Sequence, residues 1–260
     1  MTTQDQRLRF YRETLEQRIA KRSSKVLVLA AGPRDKQVFD ELGYTNVTFS
    51  NVDETYGGVT DFEPHAFSQQ DAENLRLADG AFDFVVIHAA LHHCHSPHKA
   101  LLEMYRVARI GVLALEARDS ALMRFLARRS MTETYEQRGV YFNGGTYGGV
   151  RNGPIPNFVY RWTEREVEKT ISAFAPHAAH VYSYHYGYDA PAALLYPGSY
   201  ARKAVLGTAY ALYKCFAAVF PRQQNLFAFF VQKGPLQPWI VETDGGLRLN
   251  MDWGRSRFER

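Results

Sequence analysis

Two short apolar runs end abruptly in small-residue turns, and together they constrain what this chain can fold into. Phe82–Ile87 is rich in β-formers and stops at His88-Ala89-Ala90, and Val26–Leu29 stops at Ala30-Ala31-Gly32. Continuous apolar runs of this length read as strands buried on both faces, and such strands with turns at their carboxyl ends are how an open α/β sheet holds a ligand. Around them lie a helix over Asp35–Leu42 stopped by Gly43, a strand over Val47–Val52 ending at Asp53, and a short β-like segment over Phe67–Asp71. A helix over Pro97–Val107 and a buried strand over Arg109–Ala117 follow. The alternation of strand and helix from 25 to 117 predicts a parallel sheet covered on both faces.

Outside that stretch the texture changes. Leu8, Tyr11, Leu15 and Ile19 recur at helical spacing and predict an amphipathic helix over 4–22. After Ser120 a helix over Ala121–Ser130 leads into Gly139–Asn157, a long loop rich in Gly, Asn and aromatics of the kind used as a lid. Thr163 and Glu166 have the spacing of a capping box for a helix to Phe174. Strands over Val181–Tyr186 and Leu226–Gln232 then flank an apolar helix over Tyr200–Phe220. The organisation expected is an N-terminal helix at 1–24, a ligand-binding domain at 25–235 with a lid at 120–160 and a helical insertion at 197–222, and a tail at 236–260.

Composition narrows the setting. An apolar content of 46% and a charged content of 22% are ordinary for a globular chain, and 260 residues suffice for one large core. The two cysteines, Cys94 and Cys215, are far apart, which excludes a disulfide framework and points to a reduced, cytoplasmic setting. The polar N-terminus lacks the apolar core of a signal peptide. The basic excess lies in the last quarter of the chain, ending in Arg255, Arg257 and Arg260, and reads as a solvated tail. No basic, aromatic-interleaved stretch suggests a nucleic-acid partner.

Asp53 falls about 20 residues after Gly32, the position from which a carboxylate accepts both hydroxyls of a ribose. Asp71, in Gln70-Asp71-Ala72-Glu73, either receives an exocyclic amine or caps a turn. A dinucleotide-dependent oxidoreductase would want G-x-G-x-x-G after Leu29, and that pattern is absent.

Taken in order, VLVLAAG at Val26–Gly32, SNVDE at Ser50–Glu54, QQDAENL at Gln69–Leu75 and FDFVVIHAALHH at Phe82–His93 resemble the class I S-adenosylmethionine-dependent methyltransferases, particularly the group like the ubiquinone-biosynthesis enzymes. The resemblance is good over residues 20–120 and looser to about 235. It implies a Rossmann-like, doubly wound, seven-stranded and mostly parallel α/β sheet whose last strand is antiparallel. It also implies S-adenosylmethionine as cofactor, with Ala30, Ala31 and Gly32 at its methionine end, Asp53 on the ribose, Asp71 and Ala72 at the adenine, and His88 as the floor beneath it. The first motif departs from the family: Leu29-Ala30-Ala31-Gly32-Pro33 keeps one glycine, no acid precedes it, and Pro33 removes a donor. A non-catalytic cofactor-binding or interaction protein on the same fold therefore stands as the alternative.

Five histidines crowd His88–His98. Their spacing suits a metal on a helix face, yet no nearby carboxylate or cysteine pair apart from Cys94 completes a ligand set, so no metal is expected. Acid–base work suits them better. His92 and His93, just past the fourth strand, are the candidates to take the proton of an acceptor hydroxyl. Tyr141, Tyr147 and His185 are candidate contacts for a small organic acceptor, the oxygen of a metabolite, sugar or lipid-linked glycan. In the helix over 200–220, Val205, Leu206, Ala209, Leu212, Tyr213 and Phe216 form a wide apolar stripe. A core or homodimer helix is its expected use, with peripheral membrane contact as the other.

Overall fold

The computed structural model describes residues 3–55, 57–189 and 200–259. Its centre is a seven-stranded sheet of β1 (Val26–Leu29), β2 (Val47–Asn51), β3 (Ala66–Gln69), β4 (Phe82–His88), β5 (Ala108–Ala117), β6 (Ala178–Gly187) and β7 (Leu226–Leu236). The spatial order is β3-β2-β1-β4-β5-β7-β6, parallel throughout except for β7, which runs antiparallel to both of its neighbours. The order reverses at β1, so the crevice at the carboxyl ends of β1 and β4 is the topological switch point where such sheets bind ligands.

Alternation along the strands builds a core on each face. Leu27, Leu29, Val85, Ile87, Val112 and Phe229 pack with Leu101 and Met104 of α3 (Pro97–Val107) and with Val167 and Ile171 of α6 (Glu164–Phe174). Val26, Val28, Val86, Leu113 and Ala228 pack with Tyr11 and Leu15 of α1 (Thr3–Arg18) and with Val38 and Phe39 of α2 (Pro33–Glu41). The capping box at Thr163 forms as its spacing predicts, with Thr163 and Glu166 bonded reciprocally. Ser96 caps α3, its hydroxyl accepting from the Lys99 N–H at 3.3 Å.

Several expectations shift. β3 ends at Gln69, and Asp71 stands on the following turn, where its side chain accepts from the Glu73 N–H at 2.9 Å. The lid carries structure of its own: α4 (Ala121–Arg128), α5 (Gln137–Phe142) and a single 3₁₀ turn at Val150–Asn152. Of the insertion expected at 197–222, residues 197–199 lie outside the described residues, and the rest is chiefly α7 (Tyr200–Val219). α7 is not a core helix: Val205, Leu212 and Val219 are each about two-thirds exposed or more, and among its described side chains only Ala217 is fully buried. Of the tail expected at 236–260, residue 260 lies outside the described residues, and the rest forms a hairpin of β8 (Ile240–Thr243) and β9 (Gly246–Leu249) followed by α8 (Met251–Phe258). Among the described residues, no helix is long and apolar enough to cross a membrane.

One buried cation ties the lid's exit to the sheet. Arg118, just past β5, donates to the Trp162 carbonyl at 3.0 Å and pairs with Glu164 at 2.5 Å. Its guanidinium lies over Phe227 at 4.8 Å. Arg118→Ala takes the nearer cation from a half-buried carboxylate, which Arg222 also approaches at 3.8 Å, and opens a hole beside Phe227, so a stability loss of about 2–3 kcal/mol is expected in urea unfolding. A loss below about 1 kcal/mol would show that Tyr186, whose hydroxyl donates to Glu164 at 2.6 Å, suffices to hold that carboxylate.

Candidate functional site

The site is assembled at the carboxyl ends of the central strands. Ala30 and Ala89, the residues that follow β1 and β4, both take φ of +51°. L-residues reach that left-handed region at a cost of roughly 1–2 kcal/mol, so each strand breaks sharply where the crevice opens. Ala30 thus adopts a conformation glycine favours while keeping the smallest side chain. Gly32 is the N-cap of α2, and the Asp35 carboxylate accepts its N–H at 2.9 Å. His88 lies on the α1–α2 side, its ring stacked on Tyr11 at 4.3 Å and its Nδ1 3.6 Å from Asp35.

The two acids that follow β2 and β3 face the lid. Asn152 Nδ2 donates to both oxygens of Asp53, at 2.9 and 3.1 Å, and the Thr55 N–H donates at 2.9 Å. Burial works against the charged carboxylate, but these donors outweigh it and hold Asp53 below the ordinary range. Arg151 reaches the other acid, pairing with Asp71 at 2.7 Å. Arg151 and Asn152 both sit in the left-handed region, at φ of +50° and +58°, so the 3₁₀ turn thrusts two adjacent side chains at two different strand ends. Ala72 packs against the core beside them.

The third part is a carboxylate–histidine cluster. Glu116, on β5 with a fully buried side chain, accepts the N–H groups of Ala90 and Leu91 at 2.9 and 2.7 Å and the Nδ1–H of His92 at 2.5 Å. His92 Nε2 lies 3.4 Å from one oxygen of Glu136, and His93 Nε2 lies 3.3 Å from the other. His93 Nδ1–H donates to the Gly149 carbonyl at 3.1 Å. Burial disfavours a charged His92, but Glu116 and Glu136 overcome it and push His92 up to about 10. His93 moves the other way, lowered first by burial and then by the His92 charge. Glu136 is pulled down to about 2, the two histidines outweighing its burial. Glu136 is placed by the ladder that closes the lid's base, where Val159 N–H donates to the Thr134 carbonyl and Glu136 N–H to the Asn157 carbonyl.

The structure therefore brings Asp53, Asp71, His92 and His93 under one lid. His185 is not with them. β6 turns it to the face covered by α1, where Arg18 Nε donates to it at 2.6 Å, and burial and that cation push it down to about 4. Tyr141 is 76% exposed on α5, beside Phe142, and Tyr147 is half-buried in the lid loop. Four polar participants escape sequence reasoning: Glu116, Glu136, Arg151 and Asn152. Glu116 alone left a signal, as the one acid inside the apolar run of β5, since an acid in a buried strand needs partners. Beyond the cluster, a cavity of about 370 Å³ opens between α4 and residues 158–161, lined by Met123, Ala127, Phe158 and Val159 among others.

Residues 45–115 match the family model described as "Methyltransferase domain", a span that begins after the glycine turn. No curated protein matches the chain. Among solved structures it resembles a chain of the complex between the Haloferax volcanii Trm112 methyltransferase activator and the putative methyltransferase, at 13% identity and a TM-score of 0.55 over 89% of this chain and 91% of that one. It resembles Burkholderia thailandensis 1,6-didemethyltoxoflavin-N1-methyltransferase, with bound 1,6-didemethyltoxoflavin and S-adenosylhomocysteine, at 14% identity and 0.51 over 88% and 79%. It also resembles the [4+2]-cyclase SpnF, at 14% and 0.50 over 86% and 80%, so likeness of fold does not by itself fix the reaction.

Proposed function

We propose that this chain, which has the class I S-adenosylmethionine-dependent methyltransferase fold and matches the methyltransferase domain over residues 45–115, transfers a methyl group from S-adenosylmethionine to an oxygen of a small organic acceptor. The observation that carries the cofactor assignment is at Asp53. The Asn152 amide donates one hydrogen bond to each carboxylate oxygen, the same demand that the two hydroxyls of a ribose make. Asp71 fits in the same sense, since its outer oxygen already receives a cationic donor from Arg151.

On this reading Asp53 holds the ribose, Asp71 and Ala72 border the adenine, and the turn Ala30-Ala31-Gly32, with His88 behind it, accommodates the methionine end. The cofactor supplies an electrophilic methyl carbon on a sulfonium. The chain's own work is to place an acceptor oxygen in line with that carbon and to deal with its proton. His92 already directs both of its ring nitrogens at carboxylates and is held as a cation, so it is a poor proton acceptor. His93 Nε2, with the ring oriented by Gly149, is the proton-accepting atom of the metal-free chain, and Glu136 stands beside it. The cavity beside α4 would take the body of the acceptor; Thr134, two residues from Glu136, lines it. Tyr141 and Tyr147, on the lid, remain candidates to close over that acceptor.

Calorimetric titration with S-adenosylmethionine and S-adenosylhomocysteine tests the reading. Micromolar binding of both is expected, and binding of neither would hand the chain to the non-catalytic alternative. The lid adds a kinetic expectation. Asn152→Ala and Arg151→Ala each remove a side chain that must leave before the cofactor enters, so cofactor association in stopped-flow should speed up several-fold. Unchanged rates would mean that these contacts open faster than the cofactor arrives.

A further inference from the structure

The two histidines and Glu136 are arranged as ligands are. Each imidazole has its Nδ1–H committed to an acceptor behind it, Glu116 for His92 and the Gly149 carbonyl for His93, and each therefore turns Nε2 toward the same carboxylate. His92 Nε2 lies 3.4 Å from one oxygen of Glu136 and His93 Nε2 lies 3.3 Å from the other. A tetrahedral ion with bonds near 2.0–2.1 Å has ligand–ligand edges of roughly 3.4 Å. One ligand atom from each of the three residues falls within 4.8 Å of the others.

The backs of the rings carry the second half of the argument. A ligating imidazole characteristically gives its other N–H to a carboxylate or a backbone carbonyl, which fixes the tautomer and aims the lone pair. Both partner types are present here, and Glu116 is itself fixed by the N–H groups of Ala90 and Leu91. Without an ion, hydrogen-bonding both Nε2 atoms to Glu136 would require two imidazolium rings whose centroids lie 4.6 Å apart. One divalent cation replaces both ring hydrogens, which go to solvent, and removes that repulsion. The cluster is closed on the His92 side, which is 7% exposed, and more open at His93 and Glu136, at 28% and 31%. Three protein ligands with one accessible side is the pattern of a site that keeps a coordination position for an exogenous oxygen.

We propose that His92, His93 and Glu136 form a three-ligand site for a divalent transition metal, Zn²⁺ by its nitrogen and oxygen donors, with Glu116 and the Gly149 carbonyl orienting the two rings. When the ion is bound, His93 Nε2 is a ligand rather than a proton acceptor, and an acceptor oxygen in the open position is activated by coordination. The assignment concerns this cluster alone, and metal retention is measured with no cofactor added, so it stands or falls apart from methyl transfer.

The test is titration of the chelator-stripped full chain with Zn²⁺ by calorimetry and with Co²⁺ by visible absorption. One ion per chain is expected, with a tetrahedral Co²⁺ spectrum that Zn²⁺ displaces. His93→Ala and Glu136→Gln should each weaken binding at least tenfold, while His95→Ala, at an exposed histidine outside the cluster, should leave it unchanged. Glu136→Asp, which keeps the charge and shortens the reach, should also weaken it. No binding by the parent chain, or binding equally strong in His93→Ala and Glu136→Gln, would overturn the assignment.

Discussion

A Glu116→Ala chain should be less stable than its parent by about 3–5 kcal/mol, the cost typical of breaking a buried ion pair from one side. Glu116 accepts the hydrogen bond of His92 Nδ1, and it also receives two backbone N–H groups of the turn that ends β4. Alanine leaves all three donors without their partner, one of them on a buried cation. Glu116→Gln keeps an oxygen for the backbone but loses the charge and the acceptor facing His92 Nδ1–H, so it should fall between the two. Guanidinium unfolding checks both, and a loss under 1 kcal/mol for the alanine variant would show that water or Glu136 takes over the donors.

The same pair gives the metal-free protein a pH signature. The folded state raises His92 from 6.5 to about 10. A raised histidine contributes stability that is fully present below the unfolded value and is lost as pH rises through the folded one. Stability should therefore decline from about pH 6.5 toward pH 10, and much of that slope should vanish in Glu116→Gln. A parental profile flat across this window would show that His92 is not held as a cation.

Asp53→Ala should weaken S-adenosylmethionine binding by about 30- to 150-fold, equivalent to about 2–3 kcal/mol for losing an ionised acceptor of two hydroxyls. The fold should be little affected, because Asp53 lies near the surface and its local bond is to Thr55. The variant also frees Asn152, which by itself should ease entry. A fall in affinity with no fall in association rate is therefore the expected pattern, read as faster release. Unchanged affinity would remove Asp53 from the site and leave its contact with Asn152 as a lid latch alone.

How far the sequence was legible follows from the range of the interactions. The sheet was readable because β1, β4 and β5 are buried on both faces and declare themselves as apolar runs, and because caps such as Thr163 with Glu166 are local. His92 and His93 were readable as candidates by their place after β4. Their partners were not. Glu136 reaches them through the lid's base, and Arg151 and Asn152 reach Asp71 and Asp53 through two left-handed residues in a loop with no period. The absence of a nearby carboxylate argued against a metal, yet the fold imports Glu136 from beyond β5. His185 failed as a neighbour of the cluster for a different reason: alternation along β6 decides its face, and one residue of register separates α1 from the opposite layer. α7 misled because an apolar stripe records that a face avoids water without recording what covers it.

The tip of the lid is knotted on itself. Gly149 N–H donates to the Gly153 carbonyl and Val150 N–H to the Ile155 carbonyl, and a side chain at Gly149 would meet the Ile155 carbonyl at 1.9 Å. Segment 149–155 is therefore tied together as one unit. Its carbonyl steadies His93 while its next two polar side chains cover Asp71 and Asp53. On the proposed assignment, lifting this segment off Asp71 and Asp53 would also take the Gly149 carbonyl away from His93, so uncovering the acids and releasing the imidazole would be a single event.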